Sequence, residues 1–92
     1  MMTYLAAAIA GAYLAHRNAP RTKMQKMQIL GPRTGAVYNV DLVPHLGVVI
    51  IHAQDGSFAV FQKNPPPALG FVYVRGTGHA ASIEGMKKDL EA

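Results

Sequence analysis

The chain has 92 residues, 50% hydrophobic and 15% charged, with a formal net charge of +4 and no cysteine. That length supports one domain with a small core, and the absence of thiols excludes disulfides and thiolate metal sites. The charge is uneven: residues 1–40 carry five basic side chains and no acid, whereas residues 41–92 carry four basic against five acidic. The basic character is therefore local to the first part of the chain.

Met1 to Ala15, MMTYLAAAIAGAYLA, has no charged residue. Its alanines and leucines favour helix, so an apolar helix is expected over residues 1–16. On that helix Met2, Leu5, Ile9 and Tyr13 form a large apolar stripe suited to docking into a membrane or a protein groove. Ala7, Gly11 and Ala15 lie at i, i+4 and i+8, a ridge of small residues that lets helix backbones approach closely. Fifteen residues at about 1.5 Å each span roughly 22 Å, short of the ~30 Å hydrocarbon core. The segment lacks a basic flank before its apolar run, so a cleaved secretory signal is not expected. Three readings remain: a membrane anchor, a helix docked in an assembly, or a core helix of the domain itself.

Residues 17–26 read as a basic linker. Arg17, Arg21, Lys23 and Lys26 crowd this stretch, and Pro20 stops any continuing helix. These cations suit phosphate head groups or an acidic protein surface, and equally an ordinary solvated linker.

Residues 27–92 read as a small antiparallel β domain, a sheet or barrel of four to five strands, closed by a short C-terminal helix. The class expected is thus α+β. Met24 to Leu30 is a candidate first strand, and Gly31-Pro32-Arg33-Thr34-Gly35 is a turn. Ala36 to Val43 alternates, with Ala36, Tyr38, Val40 and Leu42 on one side and Asn39 and Asp41 on the other. Pro44 ends that strand.

Gly47 to Lys63 forms two apolar runs hinged on Asp55-Gly56, a strong hairpin signal. A two-residue turn there pairs Gln54 with Ser57, Ile51 with Val60 and Ile50 with Phe61. Both faces of that hairpin are mainly apolar, so one of them is expected to meet cover or a partner, with Ile50 and Phe61 as subunit contacts. Asn64-Pro65-Pro66-Pro67 reads as a stiff extended connector. Phe71 to Arg75 is a last strand, broken by Gly76-Thr77-Gly78. Ser82 is placed to cap a helix through Leu90, whose apolar side is Ile83, Met86 and Leu90.

No set of side chains converges on a reaction. The histidines, His16, His45, His52 and His79, lack the spacing of ligands on one helical turn, and His52 reads as a bonded core or interface residue. The five acids are scattered. Gly76-Thr77-Gly78-His79 lacks the lysine of a phosphate-binding loop and reads as a strand-to-helix turn. No catalytic residue, metal, cofactor or small-molecule substrate is therefore expected.

The expected function is a non-enzymatic structural or accessory subunit of a larger assembly, a phage virion or a membrane protein complex, bound to that assembly rather than secreted. Its partners would be other protein subunits, with membrane lipid second. The alternative is a basic β-barrel that binds single-stranded nucleic acid through aromatic side chains on its strands.

Overall fold

The computed structural model describes residues 4, 24–68 and 70–91. Five strands follow one another as an antiparallel meander, each paired with its neighbours in sequence: β1 (Gln25–Leu30), β2 (Val37–Val43), β3 (Val48–His52), β4 (Phe58–Lys63) and β5 (Phe71–Thr77). Among the described residues one α-helix, α1 (Ala80–Leu90), follows the strands and covers one face. The sheet is open, since β1 and β5 are its two borders and do not pair with each other.

Alternation decides which face is buried. Tyr38, Val40 and Leu42 of β2 line up with Val49 and Ile51 of β3, Ala59 and Phe61 of β4, and Phe71 of β5. All are buried, Met86 and Leu90 of α1 pack on them, and Ile83, also buried, sits over Gly76 of β5. Tyr73 packs edge-on against Phe61 at 5.8 Å, and Lys87 caps the Tyr73 ring at 4.2 Å.

The expected apolar N-terminal helix requires correction. The described fold is a five-stranded sheet with one helix, and that helix is C-terminal. Tyr4 is bridged in antiparallel fashion to Phe71 and Glu91. Its N–H donates to Phe71 O at 2.8 Å, and its carbonyl accepts from Phe71 N at 2.9 Å. A backbone spending both polar groups on a strand edge is not inside a helix. The Tyr4 ring enters the core beside Phe61, 5.2 Å away. The rest of the proposed segment lies outside the described residues.

The central hairpin forms, but its register differs by one residue. Ile51 faces Ala59, Ile50 faces Val60 and His52 faces Phe58. The loop has three residues: Ala53 N donates to Ser57 O at 2.8 Å, and Gly56 N donates to Ala53 O at 3.2 Å. Gly56 takes φ 92°, the left-handed position that follows a type I turn in such loops. Asp55 selects this geometry. Its Oδ1 accepts the Ser57 N–H at 2.9 Å and its Oδ2 accepts the Ser82 hydroxyl of α1. The Ser82 hydrogen bond, more than any other influence, holds the Asp55 carboxyl below its ordinary range. Ser82 therefore does not cap the helix; the cap position is His79, whose N–H donates to the buried Ser57 Oγ at 2.9 Å. The one-residue shift turns β4 over, sending Phe61 inward and Phe58 and Val60 outward.

Two smaller corrections follow. The proline run makes a turn rather than an extended connector, with Ala68 N donating to Pro65 O at 3.1 Å and Asn64 N to Gly70 O at 3.0 Å. The last strand continues to Thr77, past a bulge opposite Val60 and Phe61 that leaves Val74 53% exposed.

The helix is fastened at its far end by Asp89, which is 2% exposed. Oδ1 accepts from Arg33 N at 2.9 Å and Thr34 N at 3.1 Å. Oδ2 accepts from Thr34 Oγ1 at 2.6 Å and Tyr38 OH at 2.7 Å. Gly31 leaves the room, since a Cβ there would overlap the carboxylate. Burial is the largest single influence on Asp89 and disfavours its charge, but the hydrogen bonds from Thr34, Tyr38 and Arg33 together keep the carboxyl below its usual range. Tyr38 is pushed up to about 12, first by burial and then by its bond to Asp89.

Asp89→Ala should lower unfolding free energy by about 3 kcal/mol, read from denaturant midpoints, because it strands buried donors. The same latch sets two pH limits. The folded-state value of Asp89 is depressed, so its contribution is full above the ordinary carboxyl range and is lost as pH falls below it. The value for Tyr38 is raised, so its contribution is full below about pH 10 and is lost as pH climbs towards about 12. Tyr38→Phe should flatten the alkaline limb of a stability profile and weaken the acid limb without removing it, because Thr34 and Arg33 still hold Asp89. A profile unchanged in the alkaline range would show that Tyr38 does not carry this linkage. Gly85 has open space where a side chain would sit, so Gly85→Ala should stabilise the fold by about 0.5–1 kcal/mol in the same denaturation assay.

Candidate interaction face

The face of the sheet opposite α1 carries the side chains that the register turns away from the core. Its middle row runs Lys26, Asp41, Ile50, Val60 and Arg75 across the five strands. On one side lie Gln28, Asn39, His52, Phe58 and Thr77, and on the other Val43, Val48, Gln62 and Val72. The face therefore divides. A polar corner lies over β1 and β2, and an apolar field lies over β3, β4 and the start of β5.

The polar corner is organised by Asp41. Its Oδ2 is 2.8 Å from His52 Nε2, and its Oδ1 is 3.6 Å from Lys26 Nζ. The His52 ring leans on Phe58 at 5.7 Å. Gln28 Nε2 donates to Asn39 Oδ1 at 3.0 Å beside them. Lys26, Gln28, Asn39, Asp41 and His52 rim an open depression on the surface. The pairing of Asp41 with His52 follows from the turn at Pro44–Leu46. Once Val43 faces Val48, Asp41 faces Ile50, and His52 becomes its diagonal neighbour on the same face. Reading the two strands separately leaves Asp41 isolated and His52 without a partner. The register that joins them is visible only when Pro44 and Gly47 are taken as the ends of one tight turn.

A carboxylate holding an imidazole can orient a general base. Among the described residues, Lys26, Gln28 and Asn39 share the depression with this pair, and none of them offers a hydroxyl or thiol for such a base to activate. Among the described residues no three His, Cys, Asp or Glu side chains are grouped to hold a metal ion. No helix among them is long and apolar enough to cross a membrane.

The apolar field consists of Val43, Val48, Ile50, Val60 and Val72, each half-buried, with Phe58 at its border. Arg75, exposed, stands at its β5 margin and Lys26 at the β1 end of the same row. Of the residues singled out in the sequence, Ile50 is in this field and Lys26 in the polar corner. Phe61 is 0% exposed inside the chain's own core. Met2, Leu5, Ala7, Ile9, Gly11, Tyr13, Ala15, Arg17, Arg21 and Lys23 lie outside the described residues. Comparison with protein-family models, curated proteins and solved structures finds no match for this chain.

The Lys26 side chain is 78% exposed and that of Asp41 only 15%. An exposed ammonium contributes little, so Lys26→Met should change unfolding free energy by less than about 0.5 kcal/mol. Asp41→Ala, which leaves His52 without its acceptor, should destabilise by about 1 kcal/mol. Chemical denaturation of the two variants measures both, and equal effects would show that His52 does not depend on Asp41.

Proposed function

We propose that this chain is a non-enzymatic interaction subunit of a larger assembly, and that the open sheet face is its contact with a neighbouring protein subunit. The observation that carries the reading is the apolar field of Val43, Val48, Ile50, Val60 and Val72, with the exposed Arg75 at its β5 margin and, beyond Asp41 at the other margin, the exposed Lys26. A contiguous apolar surface with a charged rim is the usual anatomy of a protein contact. Charge complementarity defines the partner: an apolar patch with acidic side chains at its margin. The positive balance of the whole chain and the clustering of its basic residues before residue 40 favour the same kind of partner. A virion or a membrane complex is the setting we propose, on the composition of the chain.

The nucleic-acid alternative needs aromatic platforms in a basic groove. Tyr38, Phe61 and Phe71 are buried, and Tyr73 lies beneath Lys87. Phe58 is the one strand aromatic on the open face among the described residues. The distribution of aromatic rings therefore favours the protein partner.

A photo-crosslinking residue in place of Val60, in the full chain and in its native cells, tests the reading. The expected result is an adduct with one protein species, crosslinked next to acidic residues. Its yield should fall at least about fivefold with Ile50→Lys and fall further with added salt. Adducts to nucleic acid would overturn the protein reading in favour of the alternative. Adducts confined to this chain's own residues would show the face to be covered from within.

A further inference from the structure

The β1 border of the sheet is a feature independent of the open-face reading. β1 has β2 on one side, and among the described residues nothing pairs with its other edge. Free edges are normally kept apart by charge, proline or a bulge. β1 has a single charged residue, Lys26, no proline and a regular six-residue register against β2. Apolar residues also stand at its limits: Met24, just before the strand, is 48% exposed and Leu30, its last residue, 65%. These are two of the four large hydrophobic side chains left exposed among the described residues.

We propose that β1 is a homodimerisation edge, pairing antiparallel with β1 of a second copy about a two-fold axis at Met27. Symmetry restricts the choices. An axis perpendicular to the sheet preserves its faces, so opposed residues must lie on the same side of the strand, and the axis must pass through a residue pair. Centring on Lys26 would set Lys26 against its own copy, two like charges directly opposed. Centring on Gln28 would set Lys26 against Leu30 and leave Met24 beyond the strand. Centring on Met27 matches the whole edge. Met24 faces Leu30 of the second copy, Gln25 faces Ile29, Lys26 faces Gln28 and Met27 faces itself.

In this register each exposed apolar end meets the other, and no like charges oppose. The product is one continuous ten-stranded sheet with both helices on the same side. Backbone hydrogen bonds supply affinity, and the Met24–Leu30 pairs supply the register.

The test uses the full chain and the charge at position 28. Gln28 is exposed, so its replacement leaves the core alone. Sedimentation equilibrium should show a reversible dimer. Gln28→Lys places two lysines opposite Lys26 at two symmetric positions and should raise Kd about tenfold, whereas Gln28→Glu should lower it several-fold. Circular dichroism verifies that each variant is folded. Leu30→Asp, at the strand end, should abolish the dimer and serves where a position-28 variant misfolds. Because the chain has no cysteine, Met27→Cys should also give a disulfide-linked dimer on mild oxidation, faster than Val74→Cys on the opposite border. Wild-type chain that stays monomeric up to about 1 mM overturns the proposal. So does a dimer whose Kd ignores the charge at position 28, or moves the same way for Lys and Glu.

Discussion

The fold depends on a carboxylate. α1 offers the sheet only one narrow apolar side, and Ile83, Met86 and Leu90 cannot by themselves fix where along the sheet the helix lies. Asp89 does so by placing its two oxygens among four donors from the 33–38 segment. A charge at this depth is tolerable only because every lone-pair direction it presents is met, and removing one partner leaves the others costly. The latch also orders the turn that leads into β2, since Arg33 and Thr34 give it their backbone N–H groups. Arg33 reaches onward to Glu91, which is itself bridged to Tyr4. The same few residues thus join the end of the helix, the first hairpin and the border beside β5.

At the other end of α1 a second polar clasp acts in the same manner. Asp55 and Ser57 of the central hairpin hold Ser82 and the backbone of His79. The helix is pinned at both ends by polar contacts and pressed in the middle by apolar ones. This division explains why an eleven-residue helix containing Gly85 is stable here. It also leaves the opposite face of the sheet without any contribution from α1.

Much of this was legible in the residues. The strands β2 to β5, the hairpin and the inward side of α1 follow from apolar spacing, because burial of one face imposes periodicity on sequence. Four features did not follow. The hairpin register turned on whether Asp55 lends its side chain to the loop, where it accepts from Ser57 N, and the same carboxylate is held from outside by Ser82 of a helix 27 residues away. Met1 to Ala15 has the composition of a helix, but Tyr4 answers to the edge of β5, a tertiary demand that local propensity does not encode. Asp89 looked like one of five scattered acids. A trace of its role was present, since it stands three residues after Met86 and next to Leu90, on the flank of the apolar stripe. An acid there must find donors, and Thr34 lies within the turn at residues 31–35 and Tyr38 just after it. The Asp41–His52 pair was hidden for a simpler reason: it exists only across a strand pairing.

The meander has a consequence in time. Each strand pairs with the next one along the chain, so the sheet can zip up hairpin by hairpin, with short loops and little loss of loop entropy at each step. The latch is different. Asp89 meets Tyr38 across 51 residues and Arg33 across 56. That loop is closed most economically after the strands between have already drawn its ends together. The early, local steps therefore set the speed of assembly, while the carboxylate that arrives last governs how long the finished structure persists.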